Sequence, residues 1–302
     1  MENDLSMGAA WMNGTVIPIS QAKIPVNDWG LVHSDITYDV VPVIDGAFFR
    51  FDEYLTRFLS SMENLHLDPG MSKRDIQAAL HQMVSKSSLR DSYVAMVCSR
   101  GKPKIAGSRD PRDCENHFFA WCVPYVHIIK PEIVEQGATA WIAQNAYRIP
   151  ENSVNPLVKN YHWGDFTQGI FEAKDKNYET VILLDYDGNI TEGPGFNVFA
   201  VKDKVLITPD RGVLAGVSRK TVLEMAEHLG INTSVRSLSV EELLEADEVF
   251  LSSSGGGVIP IIRVNETIFG NGASGPISVQ LNETYWKWTT LEKYRDPIDY
   301  TL

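Results

Sequence analysis

Cysteine is scarce: the 302 residues hold three, Cys98, Cys114 and Cys122. An odd number without CxxC spacing suggests neither a disulfide framework nor a zinc site, and it fits a reducing, cytoplasmic setting. Positive charge is also in short supply, with 27 Lys and Arg against 39 Asp and Glu and a formal net charge of -12. A chain without a global basic footprint is a poor candidate for nucleic acid or an anionic membrane surface, which leaves small molecules as partners. No apolar run reaches the ~18 residues of a membrane span, and the opening MENDLSMGAAWMNG has acidic residues and no apolar core of signal-peptide length. Nor do GxxxxGKS/T, HExxH or GxSxG occur, which removes common nucleotide, metalloprotease and hydrolase readings. The seven histidines are scattered and suggest no metal site.

What is present is the balance of a globular protein, 44% hydrophobic and 22% charged, at a length that allows two domains. Asn13-Gly14 and Asp45-Gly46 each separate apolar runs and predict hairpin turns, so the opening is sheet. Leu55, Phe58, Leu59, Met62 and Leu65 recur at helical spacing behind Asp52 as N-cap, and a second helix is expected over 72–87. YVAMVCSRG and NHFFAWCVPYV read as strands separated by a polar loop from Gly101 to Asn116. The non-periodic YRIPENSVNP predicts a domain connection, dividing the chain into an α+β domain over 1–146 and a second domain over 147–302. Beyond it come a helix in WGDFTQGIFEAKDKN and a meander turned by Asp187-Gly188 and Lys202-Asp203. A further helix is expected in SRKTVLEMAEHLG, with Ser218 as N-cap and Gly230 as stop.

One lysine, Lys159, sits inside the apolar and aromatic NPLVKNYHWGD. A lone lysine is ordinarily a solvated side chain. Two later stretches suit an anion. LAGVSRKTV puts small residues and Ser218 at a helix start, where unpaired N–H groups and the dipole favour phosphate. LSSSGGGVIP ends a strand in hydroxyls and glycines that allow close backbone approach. With the carboxylate of TEGPGFN, these suggest a phosphorylated cofactor attached through an amine.

VKN, TEGPGFN, LAGVSRK and SSSGG, in that order, resemble the class IV aminotransferases, the fold type IV group of pyridoxal-phosphate enzymes, through nearly the whole chain. HSDITYDV, VKNYHWGD and the loop RGKPKIAGSRD look like the (R)-selective amine transaminases within that family. The resemblance implies an α+β, two-domain fold, D-amino acid aminotransferase-like, with a smaller N-terminal domain and a larger, β-barrel-like C-terminal domain. It also implies an active site between the domains and a homodimer.

Residue by residue, it implies that Lys159 forms an aldimine with pyridoxal 5'-phosphate and acts as nucleophile and base, its charge disfavoured by an apolar pocket. Glu192 is implied to face the pyridine nitrogen, with Asn197 beside it, and Arg57, Val217, Ser218 and Ser254 to meet the phosphate. Tyr38, Trp163 and Ser253 are implied to line the substrate pocket, with His33 as a more distant or partner-subunit neighbour. Arg109 is the candidate for gripping a substrate carboxylate; Ala106 stands where one related pattern has a further arginine, and the loop lacks the Arg-x-His trap of D-amino acid transaminases. The expected activity is ping-pong transfer of an amino group from an (R)-primary amine to a keto acid such as pyruvate. Alternatives are a D-amino acid transaminase, a branched-chain aminotransferase, an aminodeoxychorismate lyase and a non-catalytic cofactor-binding protein.

Overall fold

The computed structural model describes residues 4–301, which form two units. Turn chemistry starts the first. Asn13 (φ 51°) and Gly14 (φ 81°) both take left-handed backbone, the requirement of a two-residue hairpin turn, so β1 (Ala9–Met12) pairs antiparallel with β2 (Thr15–Pro18). After α1 (Trp29–Val32), capped by the Asp28 carboxylate, comes β3 (Ile36–Ile44). Asp45 (φ 47°) and Gly46 (φ 72°) repeat the turn into β4 (Ala47–Phe49). β3 is buried along almost its whole length, as a strand covered on both faces must be, and this explains its near-continuous apolar run.

Helix α2 (Phe51–Asn64) starts one residue before the expected cap. Arg50, in left-handed backbone, is the N-cap without a side-chain cap bond, and Asp52 lies in the first turn, where its charge complements the helix dipole. α3 (Lys73–Ser87) begins with a reciprocal capping box between Ser72 and Asp75. β5 (Ser92–Pro103) and β6 (Cys114–Pro124) run further than expected. Lys102 pairs with Glu115 and Pro103 with Cys114, so the loop shrinks to 104–113; polar residues on an exposed ribbon look like loop in the sequence. The seven-stranded sheet runs from the C-terminal strand Arg295–Pro297 through β4, β3, β5, β6 and β1 to β2.

The second unit opens with α4 (Pro131–Gln136), β7 (Ala138–Tyr147), α5 (Gly164–Asp175) and β8 (Thr180–Leu184). The two-residue β9 (Glu192–Gly193) folds back on β10 (Phe196–Lys202), which leads to β11 (Val205–Thr208). There follow α6 (Val217–His228), β12 (Thr233–Val235), α7 (Val240–Leu244), β13 (Glu248–Ser253), β14 (Gly257–Val264), β15 (Thr267–Ile268) and α8 (Pro276–Trp288). The main path of its nine-stranded sheet is β12-β11-β10-β13-β14-β7-β8. Both expected turns form: across Asp187-Gly188 the chain folds back through an antiparallel Leu184–Ile190 bridge, with Asp185 N donating to the Asn189 carbonyl (2.9 Å) and Thr191 N to the Leu183 carbonyl (3.0 Å), and β10 turns into β11 at Asp203 and Lys204. In addition, β8 pairs parallel with β7 at one end of the path. Ile142, Ile182, Val198, Leu251 and Ile259 belong to the core of this unit, and Trp141, Phe166, Ala173 and Val181 to a second cluster.

Contacts divide the chain less simply than a cut after residue 146. The first unit holds residues up to Val126, Val158–His162 and everything from Leu291; the second holds His127–Leu157 and Trp163–Thr290. β7 goes with the second unit because its hydrogen bonds go to β14 and β8, and the C-terminal strand returns to the first because it pairs with β4. Among the described residues no helix is long and apolar enough to cross a membrane.

Ser72→Ala removes one half of the capping box of α3 while leaving its buried face intact. The expected loss is about 1 kcal/mol, read as a lower urea midpoint with an unchanged slope; an unchanged midpoint would show that the box contributes nothing.

Candidate active site

In the first unit, residues 158–162 lie against β3. The Lys159 carbonyl accepts from Thr37 Oγ1 (2.6 Å) and Tyr38 N (3.3 Å), and Lys159 N donates to Ser61 Oγ (3.3 Å). The side chain follows from that placement: Nζ lies 4.5 Å from the centroid of the Tyr38 ring, which stacks on Tyr161 at 4.1 Å and 10°. Tyr93, itself stacked on Trp121 at 5.4 Å, packs in the same cluster. Lys159 is half-buried beside an aromatic surface, and not on a charged face. Burial pushes the Tyr161 phenol well above its ordinary value, with Tyr38 and Tyr93 adding to the shift.

Arg57 is not a solvated helix residue. Its Nε and Nη2 donate to Asp39 Oδ2 (2.7 Å) and Oδ1 (2.6 Å), a two-point fork on β3 next to Tyr38. Burial lowers the tendency of the guanidinium to hold its proton, and Asp39 outweighs that, leaving the pKa raised. His33 is exposed, edge-on to Trp29 at 4.6 Å, and Arg109 is exposed on the shortened loop. Trp163 belongs to the second unit, where it packs edge-on against Phe166.

In the second unit, three motifs distant in sequence are tied together. The β9–β10 turn places Glu192 opposite Asn197. Gly193 cannot carry a side chain there, because a Cβ would lie 2.1 Å from the Phe196 ring and 2.3 Å from the Val181 carbonyl. Glu192 Oε2 accepts from Leu214 N (2.9 Å) and Asn197 Nδ2 (3.4 Å), and Asn197 Nδ2 also donates to the Leu214 carbonyl (3.0 Å). Glu192 Oε1 accepts from Arg148 Nη2 at 3.1 Å. Ser253 Oγ donates to the Gly195 carbonyl (2.8 Å) and accepts from Gly255 N (3.1 Å), joining the serine-glycine turn to the glutamate turn.

Helix α6 starts at Val217 with Gly216 as N-cap and no side-chain cap bond, so Ser218 is inside the first turn and not the cap. Ser218 is buried, with its Oγ 3.4 Å from the Tyr285 hydroxyl. Gly216 has no room for a Cβ, which would lie 2.2 Å from Asn197 Oδ1, and Gly257 (φ 66°) is pressed against the Tyr285 ring. A helix start without a side-chain cap, a buried hydroxyl, a glycine turn and a buried carboxylate that accepts three hydrogen bonds form a set of polar groups that fits a phosphorylated heterocycle.

Comparison with known proteins agrees with that geometry. The model of the family "Amino-transferase class IV" matches residues 37–264. The chain belongs to the class IV aminotransferases. As a member it is a pyridoxal-phosphate-dependent transaminase with the fold type IV architecture. It is 28% identical over 278 residues to a putative branched-chain-amino-acid aminotransferase of Methanocaldococcus jannaschii, covering 91% of this chain and 94% of that one. It is also 28% identical over 273 residues to the D-alanine aminotransferase of Bacillus licheniformis, covering 88% and 92%. The solved branched-chain amino acid aminotransferase of Escherichia coli superposes with a TM-score of 0.90 at 25% identity, over 96% of this chain and 99% of that one.

Sequence reading of this aminotransferase missed Tyr161, Asp39 and Arg148. Tyr161 is two residues from Lys159 and so shares its side of an extended segment, a usable signal. Arg148 lies in the stretch expected to be a linker, and nothing local marks it.

Gly216→Ala tests the fit without turnover. The added Cβ must displace Asn197, and cofactor affinity is expected to fall about tenfold or more, ~1.4 kcal/mol, by fluorescence titration of the apoenzyme. Parent-like affinity would separate the start of α6 from cofactor binding.

Proposed function

We propose that this aminotransferase moves an amino group from an (R)-primary amine to a keto acid such as pyruvate, with Lys159 as its catalytic lysine. The observation that carries the reading is the Lys159 amine beside the stacked Tyr38–Tyr161 pair, an aromatic surface suited to an apolar amine substituent. The arginines on either side of Arg109 in sequence are committed elsewhere, Arg100 to Asp35 and Arg112 to Asp110. Arg109 is exposed and takes no ion-pair partner among the described residues, which supports it as the group that meets the acceptor's carboxylate.

The bound cofactor supplies an aldehyde for the donor amine and a ring that stores an electron pair. Lys159 Nζ carries the proton of the substrate carbon, and since it acts from one face, the pocket that takes the larger substituent decides the stereochemistry. Glu192 holds a proton at the ring nitrogen by its negative charge. Val217 N–H, the Ser218 and Ser254 hydroxyls and Arg57 hold the phosphate, with Asp39 fixing the guanidinium plane. Asn197 steadies Glu192, Ser253 holds its turn, and Tyr38 and Trp163 wall the substrate.

We further read the protein as a cytoplasmic homodimer. Its three cysteines are thiols, and Val26 (85% exposed), Leu31 (57%) and Val32 (53%) form an apolar stretch beside His33 suited to a second copy. D-amino acids and branched-chain amino acids are the rival donors, the substrates named for the relatives.

A donor panel separates these readings. (R)-1-phenylethylamine with pyruvate should give acetophenone while the (S) enantiomer does not, and no ketone alongside rapid use of D-alanine or L-leucine would reject the amine assignment. Lys159→Ala should lose at least ~10²–10⁴-fold in rate yet still bind cofactor. Light scattering should report twice the 33.8 kDa chain mass, and a monomer at working concentration would refute the dimer.

A further inference from the structure

Glu192 is held from behind by a guanidinium that is itself held by a second carboxylate. Arg148 Nη2 donates to Glu192 Oε1 at 3.1 Å, and its Nη1 donates to Asp165 Oδ2. Asp165 is fixed in turn by the backbone: Ile149 N donates to Oδ2 (3.1 Å) and Phe166 N to Oδ1 (2.8 Å) at the start of α5. The Arg148 guanidinium lies 4.2 Å over the Phe166 ring. The side chains of Asp165, Arg148 and Glu192 are 6%, 12% and 8% exposed, so none is solvated as a surface ion pair would be.

The charges along this chain are minus, plus, minus. A lone arginine behind Glu192 would neutralise it and weaken its hold on a proton at the ring nitrogen. Asp165 restores one net negative charge to the group, and a buried group with one uncompensated negative charge fits a cationic fourth member. Among the described residues, Arg219 in the first turn of α6 lies within reach of the charges of both Glu192 and Asp210. Burial lowers the Arg219 pKa, and the charges of Asp210 and Glu192 only partly offset that. Its side chain turns to the Pro209 carbonyl (2.8 Å) and Thr208 Oγ1 (3.3 Å).

Resting on the assignment of Glu192 to the pyridine nitrogen, we infer that Arg148 and Asp165 are positioning residues that set the proton affinity of that nitrogen. The Arg148 fork fixes the direction of the Glu192 carboxylate, and Asp165 returns the charge that Arg148 removes. Neither touches the reacting atoms.

The test uses holoenzyme reconstituted with pyridoxal phosphate labelled with 15N in the ring. Its 15N chemical shift reports protonation directly and is followed across neutral and alkaline pH. Asp165→Asn keeps the side-chain size and removes the charge, and it should lower the pH at which the nitrogen loses its proton by about one unit or more, tenfold in proton affinity. Asp165→Ser, which also removes the charge, should do the same if the asparagine variant does not fold. Glu192→Gln is the control for the underlying assignment. A shift with Glu192→Gln but none with either Asp165 variant overturns the inference and makes the triad structural. No shift with Glu192→Gln overturns the assignment of Glu192 itself, and the inference with it.

Discussion

A carboxylate placed inside an apolar unit must be compensated, or it takes up a proton and ceases to be an anion. Much of the second unit is arranged around this demand at Glu192. One oxygen is met by the Leu214 N–H and the Asn197 amide, the other by Arg148. Meeting it requires the β9–β10 turn to be tight, which excludes a side chain at Gly193. It also requires the loop before α6 to return to β10, which excludes one at Gly216. Glycines that look like loop residues in the sequence are thus points where backbone and side chain pass at contact distance.

The first unit sets a basic side chain beside an aromatic surface. Lys159 is anchored by its main chain to Thr37, Tyr38 and Ser61, so backbone geometry sets where its side chain starts. Arg57 is treated differently: Asp39 grips two of its nitrogens and fixes the plane of the fork. A guanidinium held this way presents donors in one direction without a further cost in side-chain freedom.

Elements set by neighbours along the chain were legible. Asn13-Gly14 and Asp45-Gly46 announced their turns, and the 3.6 and 2 periodicities marked α2, α3, α5 and α6 and the strands β1 to β6. Errors fell where packing overrode the local signal. Arg50 displaced Asp52 as N-cap, Gly216 displaced Ser218, and the exposed ends of β5 and β6 read as loop because a polar ribbon carries no apolar alternation. The position of β8 was illegible for another reason: parallel pairing with β7 joins segments that no turn connects.

By itself the sequence determined the class of protein, the order of its motifs and the residue types available for chemistry, because turn, cap and period are written in adjacent residues. Only the tertiary structure decided which charges meet. Arg57 finds Asp39 from another element, and Arg148, in a stretch with the composition of a linker, stands between Asp165 and Glu192. An ion pair's partner and its burial depend on which elements pack together, and neither is a property of the chain near the residue.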